Sequence, residues 1–199
     1  MKQPSPLSQI ELSKLPHLKD LFALLNGGLH INRLAHPVLW AELDKEAVQY
    51  ETLFAALGYQ LRIDGRGFAW FQAGEASSTV SKATRQLALL FMLIFELQAD
   101  AGQHLGRFAD WRIDREFLAT LWDKNRQLLE AEGFADVETL QQLFDTASRY
   151  GFAENAGNGW RLLPAVCRYL DRFEELAANS QQSDTILSDA LVADEKEEP

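Results

Sequence analysis

The sequence predicts a mostly α-helical protein with short β-hairpins, an α+β fold class, and three observations lead to it. Apolar residues recur at spacings of three and four in several stretches, which is the period of an amphipathic helix. The clearest of these stripes is formed by Leu43, Ala47, Tyr50, Phe54 and Leu57. After Gly58 the apolar period changes to two, and Gly65-Arg66-Gly67 supplies a turn, which is the pattern of a β-hairpin. The third observation is that this order of elements occurs twice.

The first set of elements covers residues 18–72. A helical face of leucine and phenylalanine ends at Asn26-Gly27-Gly28, and His30-Ile31-Asn32 is short and extended. Pro37 suits the first position of a short helix. The residues of that helix predicted to point into the core are Val38, Leu39 and Trp40. A helix from Glu42 to Leu57 and the hairpin complete the set.

The second set begins with a helix over about residues 82–100. This helix is apolar on nearly every side between Leu87 and Phe95, so most of its surface should be buried. In a chain of this size such burial indicates packing between two domains or against a second subunit. We therefore expect a homodimer as one outcome.

Capping residues mark the following helices. Asp114 and Asp136 are predicted N-caps, and Gly151-Phe152 opens a second hairpin. The helix that Asp114 begins has a stripe of Leu118, Leu121, Trp122 and Leu128. Pro164 begins a last amphipathic helix. The second set thus repeats the order of the first, although few residues are identical between the two.

Two winged-helix domains in tandem are the simplest account of this repeat, because a winged helix ends in a recognition helix followed by a hairpin, the wing. The predicted domains are a flexible N-terminal arm over 1–17, a first winged-helix domain over 18–72, a linker over 73–81, a second winged-helix domain with a C-terminal helix over 82–178, and a disordered acidic tail over 179–199.

The charge of the two recognition-type helices favours a protein partner over DNA, since a helix that lies against phosphates is expected to be basic. The stretch before the first hairpin carries Glu42, Asp44, Glu46 and Glu51 against Lys45. The corresponding helix of the second set carries Asp136, Glu138 and Asp145 against Arg149. An ordinary solvated face is the alternative interpretation of each.

Composition narrows the class of protein. The net charge is −10 and the isoelectric point is about 4.9, so the isolated chain should not bind nucleic acid over its whole surface. The single cysteine excludes an internal disulfide and fits a reducing compartment. The start of the chain lacks the pattern of a secretory signal, and the longest apolar run is about half of what a bilayer requires. We expect a soluble, cytoplasmic protein that does not enter a membrane.

The sequence predicts no catalytic, cofactor-binding or metal-binding residue. It has no phosphate-binding glycine loop and no dinucleotide motif. The histidines, which have no metal-ligand spacing and are predicted to be surface or capping residues, are His17, His30, His36 and His104. Cys167 is predicted to be a buried, unreactive thiol. An enzyme is therefore the least favoured class of function.

Four hairpin residues are the candidate contacts with partners. Trp70 and Trp160 are candidate anchors for a protein interface, with packing of the hairpin on its own helices as the equal alternative. Arg62 and Arg66 are the candidate DNA contacts, because wings commonly touch the phosphate backbone. An ordinary exposed hairpin is the alternative to that second prediction.

The chain resembles the MukE/MksE-type subunits of bacterial condensins, and the MksE branch is nearer because the chain is short. The resemblance rests on the helix end Asn26-Gly27-Gly28, the helix start from His36 to Trp40, the corner Leu57-Gly58-Tyr59 and the hairpin segment Phe68-Ala69-Trp70-Phe71. It covers roughly residues 18–176 and weakens toward the end.

The resemblance implies a tandem winged-helix homodimer without enzymatic activity. Its direct partner would be an MksF-like kleisin subunit, and through it an MksB-like SMC ATPase would hydrolyse ATP. DNA would be contacted mainly within that nucleoid-associated complex. Because the family includes subunits of Wadjet-type systems, the resemblance implies either chromosome organisation and segregation or plasmid exclusion.

Overall fold

Residues 10–72 and 82–175 are described by a computed structural model of the chain. The described residues divide into two compact units, one that ends at residue 166 and one that begins at residue 167. Within the first unit we call residues 10–72 the first half and residues 82–166 the second half. The predicted linker, the predicted acidic tail and the first nine residues of the predicted arm lie outside the described residues.

The structure confirms the predicted fold class, helical with short antiparallel hairpins. The elements of the first half are α1 (Leu18–Asn26), β1 (Ile31–Asn32), α2 (Pro37–Lys45), α3 (Ala47–Ala56), β2 (Gln60–Asp64) and β3 (Phe68–Gln72). Those of the second half are α4 (Lys82–Asp100), β4 (Ile113–Asp114), α5 (Arg115–Ala131), α6 (Val137–Arg149), β5 (Ala153–Ala156) and β6 (Gly159–Leu162). Short 3₁₀ helices lie at Leu12–Lys14, Leu105–Asp110 and Pro164–Val166. In the second unit, residues 167–175 are helical.

The two sheets are built in the same way. Their strand orders are β1-β3-β2 and β4-β6-β5, and every pair of neighbouring strands is antiparallel. Ile31 lies opposite Ala69 in the first sheet, and Ile113 lies opposite Trp160 in the second. The order of elements that the sequence repeats is therefore repeated in the backbone, strand for strand.

Both predicted N-caps are confirmed. The side chain of Asp114 accepts a hydrogen bond of 3.0 Å from the backbone N–H of Phe117, and that of Asp136 accepts one of 2.8 Å from Thr139. Each carboxylate satisfies an N–H that the first turn of the helix leaves without an intrahelical acceptor. The bonds from Thr139 also lower the pKa of Asp136.

The predicted helix from Glu42 to Leu57 is wrong in its extent. The chain breaks at Glu46, whose φ of −108° and ψ of 25° separate α2 from α3. Val38 and Leu57 were predicted to face inward, yet they are 65% and 58% exposed. Val38 lies about 200° around the helix from the buried Trp40, and Leu57 follows the last residue of α3, where helical periodicity no longer directs it.

The predicted burial of α4 is confirmed, and one chain suffices for it. The helix buries Leu87, Leu90, Phe91, Leu93, Ile94, Phe95 and Leu97. It packs against α5, α6 and the 3₁₀ helix Leu105–Asp110 of the same unit. On α5 the predicted inward Leu128 is 44% exposed, whereas its neighbour Leu129 is buried. The apolar surface of α4 therefore does not require a second subunit to cover it.

Candidate functional site

The first sheet has two covered faces. Residues directly opposite each other on neighbouring antiparallel strands point to the same side. One face, which includes Ile31, Leu61 and Ala69, belongs to the core formed with α1, α2 and α3. The other face carries Asn32 and Phe68, which are both fully buried. The second half covers that other face.

We call the contact between the two halves the joint, formed by His30 and Asn32 of the first half with Tyr150, Gly151 and Ala165 of the second. The side-chain amide of Asn32 donates to the carbonyl oxygens of His30 and Gly151, both at 2.8 Å. Its oxygen accepts from the backbone N–H of Ala165 at 3.3 Å. The backbone N–H of His30 donates to the carbonyl of Tyr150 at 3.0 Å, and His30 Nδ1 lies 2.8 Å from the same oxygen.

Only glycine fits at the corner of the second half that enters the joint. Gly151 has a φ of +76°, which side chains other than glycine rarely adopt. A Cβ atom there would overlap the carbonyl oxygen of His30. The ring of Phe152 packs on the imidazole of His30, with 4.5 Å between ring centroids. The prediction that His30 is a surface or capping residue is therefore wrong, because it is buried in the joint.

The two candidate tryptophans lie against their own chain. Trp70 shares the covered face of the first sheet and stacks on Phe68 and His30, with centroid distances of 5.4 and 6.2 Å. Trp160 is 9% exposed and packs on Phe144 of α6 at 5.0 Å. In the isolated chain, little of the Trp160 surface is available to a partner.

The candidate arginines differ in how much of their charge is compensated. Arg66 is held by Asp64, whose carboxylate accepts from its backbone N–H at 2.8 Å, from Nε at 2.9 Å and from Nη2 at 2.7 Å. These bonds lower the pKa of Asp64. Arg62 is exposed and its Nε donates to the neutral amide oxygen of Gln72 at 2.6 Å. The charge of Arg62 is therefore the more available of the two.

Sequence reasoning missed a third arginine beside the turn of the first hairpin. Arg33 follows β1, is exposed, and donates its backbone N–H to the carbonyl of Gly67 at 2.9 Å. Its side chain lies over Gly67, where a Cβ atom would be 3.3 Å from Nε. In the described residues no carboxylate lies within ion-pair distance of Arg33 or Arg62. The sequence signal that could have identified Arg33 was its position directly after the extended stretch that forms β1.

Three arginines on or near the second hairpin are paired with carboxylates instead. Arg161 donates through Nε to Glu154 at 2.8 Å across the hairpin. Arg112 lies 3.8 Å from Asp114, and Arg115 pairs with Glu138. The first hairpin therefore offers more uncompensated positive charge than the second.

Glu42 is not part of an acidic surface, contrary to prediction. Its side chain is 10% exposed, and its carboxylate accepts from Tyr50 Oη, from the backbone N–H of His17 at 3.1 Å and from His17 Nδ1. Burial alone would raise the pKa of Glu42, but these hydrogen bonds lower it overall, while burial and Glu42 raise the pKa of Tyr50. The cluster ties the residues before α1 to α2.

The surface charge of α3 is correspondingly smaller than predicted. Glu51 is the one charged residue of α3, and α6 carries Glu138 and Asp145 against Arg149. Neither helix is basic, so the argument against phosphate contact by these helices still holds, but on weaker grounds. α3 also exposes an apolar side chain, since Val48 is 75% exposed.

The remaining histidines and the cysteine have structural positions. His104 accepts from the N–H of Gly106 at 3.2 Å and caps a 3₁₀ helix, as predicted. His36 accepts from the N–H of Asn32 at 3.3 Å, and burial lowers its pKa. Cys167 is buried, as predicted. Across residues 10–72 and 82–175, no three His, Cys, Asp or Glu side chains are placed to hold a metal ion. Within the same ranges, no helix is long and apolar enough to cross a bilayer.

A comparison with protein families matches residues 16–174 to the condensin complex protein MksE. This chain belongs to the MksE family. The match covers both halves with their sheets and reaches into the helical segment 167–175, so it confirms the resemblance seen in the sequence. Membership makes the chain a condensin-complex subunit. No curated protein matches the chain at a significant level.

Proposed function

We propose that this MksE-family protein is a non-catalytic accessory subunit that binds an MksF-like kleisin and, through it, an MksB-like SMC ATPase. The observation that carries the proposal is the family match over residues 16–174. The repeated strand order supports it, because two winged-helix domains in tandem would produce that repeat. The complex would act in the cytoplasm on the nucleoid, in chromosome organisation and segregation or in plasmid exclusion.

The surface that we assign to the kleisin is the solvent side of α3 and the residue that follows it. Val48 and Leu57 are exposed there, beside the exposed carboxylate of Glu51. Burial of exposed aliphatic side chains against a protein partner lowers the free energy of the complex. Phosphate groups are charged and hydrated, so they do not stabilise such side chains. A protein segment is therefore the partner that suits α3.

Co-purification with an MksF-like kleisin tests the proposal. The wild type should form a complex at micromolar concentration, and Val48→Glu should weaken it by at least about tenfold, since a charge would be buried without a partner. Met92→Glu, at a residue of α4 that is 42% exposed, is the matched control and should bind normally. Absence of any complex with the wild type would reject the proposed function.

A homodimer is the proposed oligomeric state, and it now rests on the family resemblance, because α4 is buried within one chain. Light scattering on the purified protein should give twice the monomer mass. A monomeric mass at every accessible concentration would contradict this part of the proposal.

DNA contact within the assembled complex is proposed for the first hairpin, at Arg62 and Arg66. Arg33 belongs with them, since its charge is uncompensated by carboxylates in the described residues. Removing Arg33 and Arg62 together should lower the salt concentration at which the complex releases DNA more than removing Arg62 and Arg66 does. Arg161→Ala is the control, because Glu154 already compensates that charge. Unchanged DNA retention by both double variants would show that this hairpin does not touch DNA.

The competing function is a winged-helix transcription regulator that binds DNA directly. Arg62 on the first hairpin and Arg33 beside it favour this function, because no carboxylate of the described residues compensates them. That function predicts tight, salt-sensitive binding of a duplex by the isolated protein. We expect weak binding, because the chain has a net charge of −10. Nanomolar binding to a specific site without the kleisin would favour the regulator.

A further inference from the structure

We propose that Asn32 is a positioning residue that fixes the orientation of the two halves, so that the two hairpins move as one rigid body. The proposal concerns the joint and does not depend on which partner the protein binds. Its basis is the set of hydrogen bonds made by one buried side chain, two of which join segments that are distant in the sequence.

Asn32 uses both ends of its side-chain amide in the joint. Two N–H donors reach the carbonyl oxygens of His30 and Gly151, and the oxygen accepts from Ala165, so three bonds converge on a fully buried group. Gly151 lies 119 residues from Asn32 in the sequence, and Ala165 lies 133 residues away. Hydrogen bonds have narrow ranges of length and angle, so these bonds are satisfied together in one relative placement of the halves.

The local fold does not explain an amide at this position. Asp114 holds the equivalent place in the second sheet, since Asn32 lies opposite Phe68 on the central strand and Asp114 lies opposite Gly159. Asp114 uses its side chain to cap α5. The side chain of Asn32 makes no such cap, because His36 is the residue before α2. Two of the three side-chain hydrogen bonds of Asn32 therefore reach the second half, and the third, to His30, stays within its own half.

Apolar packing alone would not select one orientation as sharply. Phe152 against His30 and the buried Phe68 provide contact area, but such contacts tolerate sliding and rotation. Gly151 restricts the orientation from the second half. Because it has no Cβ atom, its backbone can lie close to the carbonyl of His30. Directional bonds at Asn32 and close approach at Gly151 thus act on the same corner.

Replacement by the isosteric acid tests the proposal. Asn32→Asp keeps the shape of the side chain but places an oxygen against two carbonyl oxygens, which removes both donated bonds. Spin labels at Gly65 and Ala156, which are exposed on the two hairpins, would report the distance between them by pulsed electron resonance. The labels are attached in a Cys167→Ala background, and a Cβ atom at Gly65 meets open space.

We expect a narrow distance distribution in the wild type and a broader or displaced one in Asn32→Asp. Leu25→Ala is the control for stability, since it opens the core of the first half away from the joint. It should lower the Tm by roughly 5 °C or more and leave the distribution unchanged. If Asn32→Asp does not fold, Asn32→Ser, which is too short to bridge the halves, serves in its place. A narrow, undisplaced distribution in the folded Asn32 variant would overturn the proposal, as would a broad one in the wild type.

Discussion

The two sheets share one strand order but differ in what surrounds them. In the first sheet, the face with Asn32 and Phe68 is buried against the second half and the opposite face is part of the helical core. In the second sheet, the face with Trp160 and Leu162 is buried, and the opposite face shows the Arg161–Glu154 pair to solvent. Repetition of a topology therefore does not fix what each copy contacts.

Equivalent positions make this difference specific. Ala69 corresponds to Trp160 by register, so Phe68 corresponds to Gly159 and Trp70 to Arg161. β3 is apolar on both sides and belongs to the first sheet, which has two covered faces. β6 carries Arg161 on one side and belongs to the second sheet, which has one covered face. The first sheet serves to assemble the unit, while the second leaves one face open.

The largest effect should come from the covered face of the first sheet. Phe68→Ala should lower the free energy of unfolding by about 3–5 kcal/mol, because a fully buried ring is lost and a cavity remains. Arg161→Ala, on the open face of the second sheet, should cost at most about 1 kcal/mol, since its ion pair is partly exposed. Urea denaturation measures both. Equal losses would mean that the two sheets are not surrounded differently.

Substitution of the two corner glycines by alanine should reduce the free energy of unfolding by different amounts, and this difference should be of intermediate size. Gly58 and Gly151 both have positive φ, but a Cβ atom at Gly58 meets nothing within 4 Å, whereas one at Gly151 meets His30. Gly58→Ala should cost about 1–2 kcal/mol from its backbone conformation alone. Gly151→Ala should cost about 1–3 kcal/mol more, because the joint must move to accept the methyl group. Urea denaturation of the two variants measures both losses of unfolding free energy. Similar losses would indicate that the joint is loosely packed at Gly151.

The smallest difference in unfolding free energy should come from replacing one carboxylate in each half. Glu42→Gln should cost about 1.5–3 kcal/mol at pH 7, since hydrogen bonds to a nearly buried charge are lost. Glu138→Gln, in an exposed pair with Arg115, should change the free energy of unfolding by at most about 1 kcal/mol.

The effect of Glu42 should also depend on pH. The folded-state pKa of Glu42 is lowered, so its stabilisation is complete above the pKa of an unfolded glutamate, about 4.3, and is lost as pH falls through the folded value. The difference between wild type and Glu42→Gln should therefore shrink between pH 7 and pH 3. A difference that stays constant over this range would show that the charge of Glu42 is not what stabilises the cluster.

Local signals predicted most of the elements correctly. Proline at the start of α2 and aspartate before α5 and α6 act through the first helical turn, so neighbouring residues suffice to identify them. The break at Glu46 escaped prediction for a physical reason. Leu43, Tyr50 and Phe54 face one core, and their spacing continues in phase across the break, so periodicity reports a single helix.

The candidate site was predicted less well than the fold. Arg62 and Arg66 lie on the predicted hairpin, but the compensation of Arg66 by Asp64 and the presence of Arg33 emerged only from the structure. One available signal was overlooked. Phe68-Ala69-Trp70-Phe71 is apolar at four successive positions, which is typical of a strand covered on both faces, whereas the strands of the second hairpin include charged residues.

The sequence by itself determined most of the helices, the caps at Asp114 and Asp136, the two hairpins and the membership of the family, because these depend on spacing and on residues close together in the chain. The tertiary structure alone decided that Asn32 and His30 meet Tyr150, Gly151 and Ala165, more than a hundred residues away. No local pattern marks an asparagine for burial, since the same residue type ends strands and caps helices in water. What placed it there is the requirement that buried donors and acceptors be paired, which is met only once both halves have folded and come together.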